Sequence, residues 1–364
     1  MRILILSANT GGGHNSTAAA LGEQLEKLGA EHQTADTLSF ISEKVSKFIS
    51  WGHTYLYRKL PLLFGWGYRY EEKHPPKFIY EQCNKGVDSL YQFLLEGKFD
   101  AVICVHVFSS MMMTGVREKY EYNIPSFFVS TDYTCHPGVS ESKMDGFFIP
   151  HAMLCGEFVR SGVKADKMHP TGIPVRHEFY LQMDKTEARE KLGLPLDQKV
   201  LVVSFGSMGC GQLEKHATYL AEHLGEDICI VVLCGTNQKT YETLLPRANE
   251  RFRVISFTKE MAVYMSAADA YITKPGGLTT TEAIAKRLPM LLMDAVPGCE
   301  TRNFQFLTSM GVARGAKNWK QLTELANELL TKEGALAEQA AKMEGFSKGI
   351  AAEEICKYVV GHRK

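Results

Sequence analysis

At 364 residues the chain is longer than one hydrophobic core usually serves, so two domains of ordinary size are expected. Its 45% hydrophobic and 23% charged content is that of a globular protein, and 41 Lys and Arg against 41 Asp and Glu leave no net charge. That balance argues against nucleic-acid binding through bulk electrostatics, and no apolar run is long enough for a transmembrane helix.

The opening MRILILSANTGGGH has too short an apolar run for a secretory leader and reads as a first strand entering a glycine loop. Ser16 is expected to cap the following helix, in which Ala18, Leu21, Leu25 and Leu28 share one stripe before Gly29 ends it. Unbroken apolar runs recur at 101–105, 127–130, 200–205, 228–233 and 289–293. Such runs suit strands of a parallel sheet buried on both faces. The strand, loop, helix rhythm begins at residue 2 and again at residue 199, where KVLVVSFGSMGCGQ leads into LEKHATYLAEHL. Two starts predict two doubly wound α/β domains. Between them Pro174 and Pro195 bracket a short charged helix, which places a hinge near 173–180. The expected division is 1–175, 176–340 and a C-terminal helical tail, 341–364, that can pack back on the N-terminal domain.

Nine cysteines, at 83, 104, 135, 155, 210, 229, 234, 299 and 356, are odd in number and form no C-x-x-C pair. This spacing points to a reducing compartment, without a disulfide framework or a structural zinc site.

Four loops carry candidate chemistry. In Asn9-Thr10-Gly11-Gly12-Gly13-His14 the glycines permit close backbone approach, and the helix start offers amides to an anion. The loop is neither a G-x-G-x-x-G fingerprint nor a P-loop, since it has His14 and Asn15 and no lysine. His14 is placed there as a base near neutral pH; the plainer alternative is a tight turn with an incidental histidine. The second loop, Lys274 to Glu282, sets Gly276, Gly277, Leu278, Thr279, Thr280 and Thr281 at a helix start. It can cradle a phosphate with amides and hydroxyls while Glu282 accepts from ribose hydroxyls; equally, Thr280 or Thr281 could simply cap the helix. Pro297 to Asn303 brings Glu300 and Asn303 toward the same rim, and Ser204 to Gly209, with Gly206 and Ser207, turns at a strand end. Together these loops suit a nucleotide diphosphate, and no D-x-D pair is present to hold a divalent ion.

The GGGH loop, Asp132 and His136 in STDYTCHP, the crossover GIPVRHEF and the long run KPGGLTTTEAIAKRLPMLLMDAVPGCETRNFQFL resemble glycosyltransferase family 28. The resemblance is closest to its monogalactosyl- and processive glucosyl-diacylglycerol synthase branch and spans nearly the whole chain. It implies a GT-B fold, two Rossmann-like domains facing across a cleft, with the sugar nucleotide on the C-terminal one. By matching motif, Gly277, Thr279 and Glu282 would serve the diphosphate and ribose, backbone near Phe257 and Thr258 the uracil edge, and Glu300 with its neighbour the sugar hydroxyls. His14 would be the catalytic base, with Gly12, Gly13, Asp132 and His136 on the acceptor side. Cys299 departs from the glutamine common in the family, and a thiol lacks the two-sided hydrogen bonding of an amide, which leaves the choice of sugar open.

Ten of the 33 residues from Phe48 to Tyr80 are aromatic, and Lys47, Arg58, Lys59, Arg69, Lys73 and Lys77 interleave with them. Such a stretch suits a lipid headgroup layer, with Trp51, Tyr55, Phe64 and Trp66 as contacts in a segment at about 47–80. Ordinary packing under a loop or a homodimer contact are the alternatives. Nucleic-acid stacking is disfavoured, because 17 basic and 18 acidic residues balance through residue 175. The expected activity is inverting transfer of glucose or galactose from a UDP-sugar to diacylglycerol, without cofactor or metal, by a cytoplasmic protein held peripherally on the inner face of the cell membrane. The competing expectations are N-acetylglucosamine transfer to an undecaprenyl-linked acceptor, a UDP-sugar 2-epimerase of the same fold, and a non-catalytic sugar-nucleotide sensor.

Overall fold

The computed structural model describes residues 1–8, 12–42, 44, 52, 61–71, 77–209, 211–293, 295–346 and 349–362, excluding the side chains of 61, 62, 64, 69, 71 and 77–79. It divides into two compact units. The first comprises Met1–His177, Val296–Cys299 and Lys348–Lys364; the second comprises Glu178–Ala295 and Glu300–Ser347.

In the first unit the strands are β1 (Arg2–Ser7), β2 (Glu31–Asp36), β3 (Ala101–Cys104), β4 (Ser126–Val129), β5 (Gly146–Phe148) and β6 (Met168–His169). Helices α1 (Gly12–Lys27), α2 (Pro61–Glu71), α3 (Lys77–Asn84), α4 (Val87–Gly97), α5 (Val107–Tyr120) and α6 (Cys155–Arg160) connect or follow them. The second unit holds β7 (Lys199–Ser204), β8 (Ile228–Leu233), β9 (Phe252–Ile255), β10 (Ala270–Thr273), β11 (Met290–Leu292) and β12 (Ala313–Gly315). Its helices are α7 (Lys185–Leu192), α8 (Leu213–His223), α9 (Gln238–Leu244), α10 (Met261–Ala267), α11 (Gly277–Ala285), α12 (Cys299–Ser309), α13 (Trp319–Thr331) and α14 (Ala335–Glu344), while α15 (Ala351–Gly361) belongs to the first unit.

Every strand pairing is parallel. The first sheet runs β2-β1-β3-β4-β5-β6 and the second β12-β11-β10-β7-β8-β9. Each order reverses once, between β1 and β3 and between β7 and β10, and at such a reversal the loops leaving the two strands diverge and open a crevice. Helices on both faces explain why the central strands are fully buried runs of Ile, Leu and Val, each side chain adding about 1.5–3 kcal/mol on burial. The polar EHQTAD of β2 is tolerated because β2 lies at a sheet edge. Ile355, Cys356 and Val359 of α15 join Ile3, Ile5, Leu21 and Phe127 in the first unit's core, so the last helix completes a domain begun at residue 1.

Helix α1 begins at Gly12 and not after Ser16, which corrects the expectation from sequence. Glycine is a poor helix former and serine a good cap, so the local signal pointed later. Ser7 Oγ donates to Asn15 Oδ1 at 2.9 Å and ties the early first turn to the end of β1. In the crossover, the Asp184 carboxylate caps α7 by accepting from the amides of Thr186 (2.8 Å) and Glu187 (3.3 Å). Arg189 and Lys185 of α7 both bind the buried Asp269, at 2.6 and 2.8 Å, which fastens the crossover helix to the second sheet. Among the described residues no helix is long and apolar enough to cross a membrane.

Candidate functional site

The switch point of the first sheet brings His14 to Val105, 91 residues away in sequence. His14 Nδ1 lies 2.9 Å from the Val105 carbonyl oxygen and 3.3 Å from Thr131 Oγ1. A carbonyl only accepts, so Nδ1 carries the proton and Nε2 of the neutral ring keeps its lone pair. This is the tautomer a general base requires. The ring also meets that of His106 edge-on, with centroids 4.5 Å apart. His106 Nδ1 accepts the Phe108 amide at 3.1 Å and caps α5, which fixes that ring behind His14. Gly12 and Gly13, expected as loop, form the first turn of α1 together with His14.

Thr131 belongs to the loop after β4 that also carries Asp132 and His136. Glu157 holds this loop from beneath, accepting from Thr134 Oγ1 at 2.6 Å and from the Cys135 amide at 2.8 Å. His136 Nδ1 donates to the Pro137 carbonyl at 2.8 Å, and its ring meets Tyr68 at 5.5 Å. The loop is thus brought beside His14 through Thr131, a residue the sequence reading did not single out. Trp51 and Tyr55 lie outside the described residues, as does the side chain of Phe64. Trp66 is 62% exposed on α2 and stacks on Tyr70, which with Leu63 extends an exposed apolar face, whereas Gly65 and Tyr68 turn inward.

In the second unit every donor-side candidate follows the carboxyl end of a strand. Gly206 and Ser207 lie after β7, Phe257 and Thr258 after β9, Gly276 to Glu282 after β10, and Glu300 and Asn303 on α12 after β11. The β7 turn is locked by close packing. Gly209 N donates to the Gly206 carbonyl at 3.0 Å, Thr236 N to the Ser207 carbonyl at 2.8 Å, and Asn237 Nδ2 to the Gly209 carbonyl at 2.8 Å. Phe257 is half-exposed, and Thr258 Oγ1 accepts the Glu260 amide at 3.0 Å.

Gly276 is the N-cap of α11 and no side chain caps the helix. Thr280 and Thr281 lie inside the helix, beyond its N-cap, where Thr280 Oγ1 donates to the Gly276 carbonyl at 2.8 Å and Thr281 Oγ1 to the Gly277 carbonyl at 2.7 Å. Capping by these hydroxyls is therefore ruled out, and the amide end of α11, with Leu278 and Thr279 in its first turn, remains suited to an anion. Asn303 is fully buried and donates to the Pro275 carbonyl at 2.9 Å, which holds the turn.

Lys274, just before the glycines, was given no role from the sequence. Its Nζ is 3.3 Å from Glu300 Oε1, and the two side chains are 7% and 12% exposed. A buried cation beside the diphosphate cradle, held by the carboxylate assigned to the sugar, was signalled only by its place in the KPGG motif. Cys299 Sγ lies 3.3 Å from Tyr68 Oη, and residues 296–299 group with the first unit.

Two six-stranded parallel sheets, with candidate residues after the carboxyl ends of their strands, define a GT-B enzyme of the nucleotide-sugar class. Residues 14–175 match the monogalactosyldiacylglycerol (MGDG) synthase family, and residues 200–353 match the glycosyltransferase family 28 C-terminal domain. The second half of the chain thus carries a glycosyltransferase family 28 C-terminal domain and the first half a domain of the MGDG synthase family. The chain is similar to the processive diacylglycerol beta-glucosyltransferases of Bacillus licheniformis, 28% identical over 98% of this chain and 94% of that protein, and of Bacillus subtilis, 28% identical over 92% and 88%. Among solved structures, MurG of Acinetobacter baumannii superimposes with a TM-score of 0.68 at 16% identity, covering 99% of each chain. The UDP complex of MnaA from S. aureus gives 0.67 at 16% identity, covering 99% of this chain and 97% of that one. At these identities the two structures establish the fold.

Proposed function

We propose that this enzyme transfers a hexose from a UDP-sugar to diacylglycerol and so makes a glycolipid. Full-length similarity to enzymes named for that reaction supports the substrate pair, and the His14 tautomer carries the mechanism. The acceptor's primary hydroxyl attacks the sugar C1 from the face opposite the diphosphate. His14 Nε2 takes the hydroxyl proton as the new C–O bond forms, and UDP leaves with the electron pair of the broken bond. Inversion at C1 follows from this single displacement. Charge developing on the diphosphate is met by the amide end of α11 and by the Lys274 cation, preset in a dry position. Glu282 binds the ribose and Glu300 the sugar.

The acceptor is a lipid, and α2 offers a face for its surface. Leu63, Trp66 and Tyr70, at spacings of three and four, are 52%, 62% and 54% exposed. Aromatic bodies with polar tips sit stably at the headgroup level. This face supports peripheral attachment to the inner side of the membrane. N-acetylglucosamine transfer and 2-epimerisation are disfavoured, because the UDP-N-acetylglucosamine 2-epimerase and MurG structures are only 12–16% identical to this chain, against 28% for the diacylglycerol glucosyltransferase of Bacillus licheniformis.

The test is incubation with UDP-glucose, UDP-galactose or UDP-N-acetylglucosamine and diacylglycerol vesicles, with the lipid product identified by mass spectrometry. A hexosyl-diacylglycerol is expected. His14→Ala should lower turnover about 10²–10⁴-fold and leave UDP affinity nearly intact. Absence of any glycosylated lipid with all three donors refutes the reading, and unchanged turnover in His14→Ala removes the base. Flotation with anionic vesicles should weaken in Trp66→Ser; equal flotation refutes the α2 contact.

A further inference from the structure

Helix α2 is 11 residues long with two interior glycines, so its intrinsic stability is low and it must be held by what its faces touch. Leu63, Trp66 and Tyr70 form the exposed face, whereas Gly65 and Tyr68, three residues apart, are buried on the other. The buried pair lies on Pro297, Gly298 and Cys299, the turn that leads into α12. A Cβ at Gly65 would stand 2.1 Å from Pro297 Cβ, so helix and turn meet at a distance that only glycine permits. Gly298 has φ +121°, and a Cβ there would lie 3.1 Å from Tyr68 Cγ, so the tyrosine ring rests on bare backbone. The Cys299 thiol donates to Tyr68 Oη at 3.3 Å. Three consecutive residues of the turn thus meet two residues of one helix, and all five belong to the first unit.

The turn is continuous with the donor-side candidates. Cys299 is the first residue of α12 and Glu300 the second, with the Glu300 carboxylate 3.3 Å from Lys274 Nζ. A shift of the turn therefore moves the start of α12 and the carboxylate assigned to the sugar. Tyr68 also meets the ring of His136 edge-on, with centroids 5.5 Å apart, in the loop that carries Asp132. The lipid-facing helix is thereby fastened through one side chain to the turn before Glu300 and to the acceptor-side loop.

We infer that α2 couples the lipid surface to the donor sugar: headgroup contact through Leu63, Trp66 and Tyr70 holds the helix on residues 297–299, and Tyr68 is the positioning residue that sets Glu300 for the hexose. This rests on the readings of the exposed α2 face as the lipid contact and of Glu300 as the sugar ligand. A surface that binds only the formed and seated helix favours the state in which Glu300 is in place. By linkage the donor then strengthens attachment to the surface by the same factor. The coupling acts through the hexose, so UDP alone does not feel it.

The experiment uses the full chain and phosphatidylglycerol–phosphatidylcholine vesicles without diacylglycerol, so that no acceptor is supplied. Affinities for UDP and for UDP-glucose or UDP-galactose, whichever the product assay selects, are read by equilibrium dialysis with and without vesicles. Attachment is read by flotation and folding by Tm. Vesicles should tighten UDP-hexose binding about fivefold or more and leave UDP unchanged, and the UDP-hexose should strengthen flotation by an equal factor. Gly65→Ala raises helix propensity while its Cβ drives α2 off Pro297. Without donor it should float as the wild type does, yet it should lose the vesicle effect on UDP-hexose. Gly67→Ala brings the same gain in propensity with nothing within 4 Å, and it should keep the effect. Tyr68→Phe keeps the ring and deletes the acceptor of the thiol; it should weaken the effect, and it carries the test if Gly65→Ala does not fold. A merely structural α2 would instead let Gly65→Ala lower Tm and weaken UDP and UDP-hexose alike, with or without vesicles, which overturns the inference. Flotation of the wild type with no vesicle effect on UDP-hexose overturns the coupling and leaves the lipid contact standing. If the wild type does not float, or Trp66→Ser floats equally well, the lipid reading of α2 fails and this inference with it. If Glu300→Gln leaves UDP-hexose affinity unchanged, the sugar reading of Glu300 fails, and the inference again with it.

Discussion

Lys274→Met retains most of the stem of the lysine and deletes its charge, leaving Glu300 buried beside an apolar group. At 3.3 Å the pair's Coulomb attraction is about 5 kcal/mol for an effective dielectric of 20. Most of that offsets the desolvation of the two ions, so the pair itself adds little net stability. Removing one partner is different, because the remaining carboxylate keeps its desolvation penalty; the expected loss is about 3–5 kcal/mol. Glu300→Gln together with Lys274→Met leaves no buried charge and should recover most of it. In a domain of this size each kcal/mol moves Tm by roughly 2–4 °C, so the single variant should melt well below the wild type and the double close to it. A double-mutant cycle on Tm measures the coupling, and calorimetry with UDP measures the function. The double variant should remain folded yet bind UDP more weakly, since the cation facing the diphosphate is gone. Equal melting of the wild type and Lys274→Met, or strictly additive effects in the cycle, would refute the argument.

Two further outcomes concern the frame around the donor loops. A Cβ at Gly235, where φ is +59°, would lie 2.3 Å from the Ser207 carbonyl oxygen, so Gly235→Ala must displace the β7 turn. It should cost more than about 1 kcal/mol and weaken UDP binding; Gly29→Ala, with φ +71° and nothing within 4 Å, should show the backbone strain without the loss of UDP. Burial by itself raises the Asp269 pKa, but Lys185, the Val200 amide and Arg189 outweigh it and hold the carboxyl below its ordinary range. A carboxyl depressed in the folded state contributes stability that is complete above the unfolded pKa, near 4, and is lost as pH falls through the folded one. Asp269→Asn should therefore lower Tm at neutral pH and flatten its decline below about pH 4, as a Tm series across pH would record.

The apolar runs of β1, β3, β4, β7, β8 and β11 announced themselves, because a strand covered on both faces needs every residue apolar. Short β5 and β6 and the polar edge strand β2 carried no such signal, since two or three residues have no period and an edge faces water. The glycine turn before α11 was legible for a related reason, since close backbone approach excludes a Cβ and that need is local, and the GGGH run marked where α1 begins. His14 and Glu282 were placed as candidates by these motifs.

What the motifs did not contain was partnership. His14 acquires its proton-bearing Nδ1 from a carbonyl 91 residues away, and Lys274 meets a carboxylate 26 residues on. Strand order decides these meetings. Local propensity and hydrophobic period constrain each segment against water alone, so they determined two doubly wound α/β halves and the turns that open them. Which loops share a crevice depends on how separate segments pack. Only the tertiary structure decided, therefore, which tautomer His14 adopts and which side chain answers Lys274.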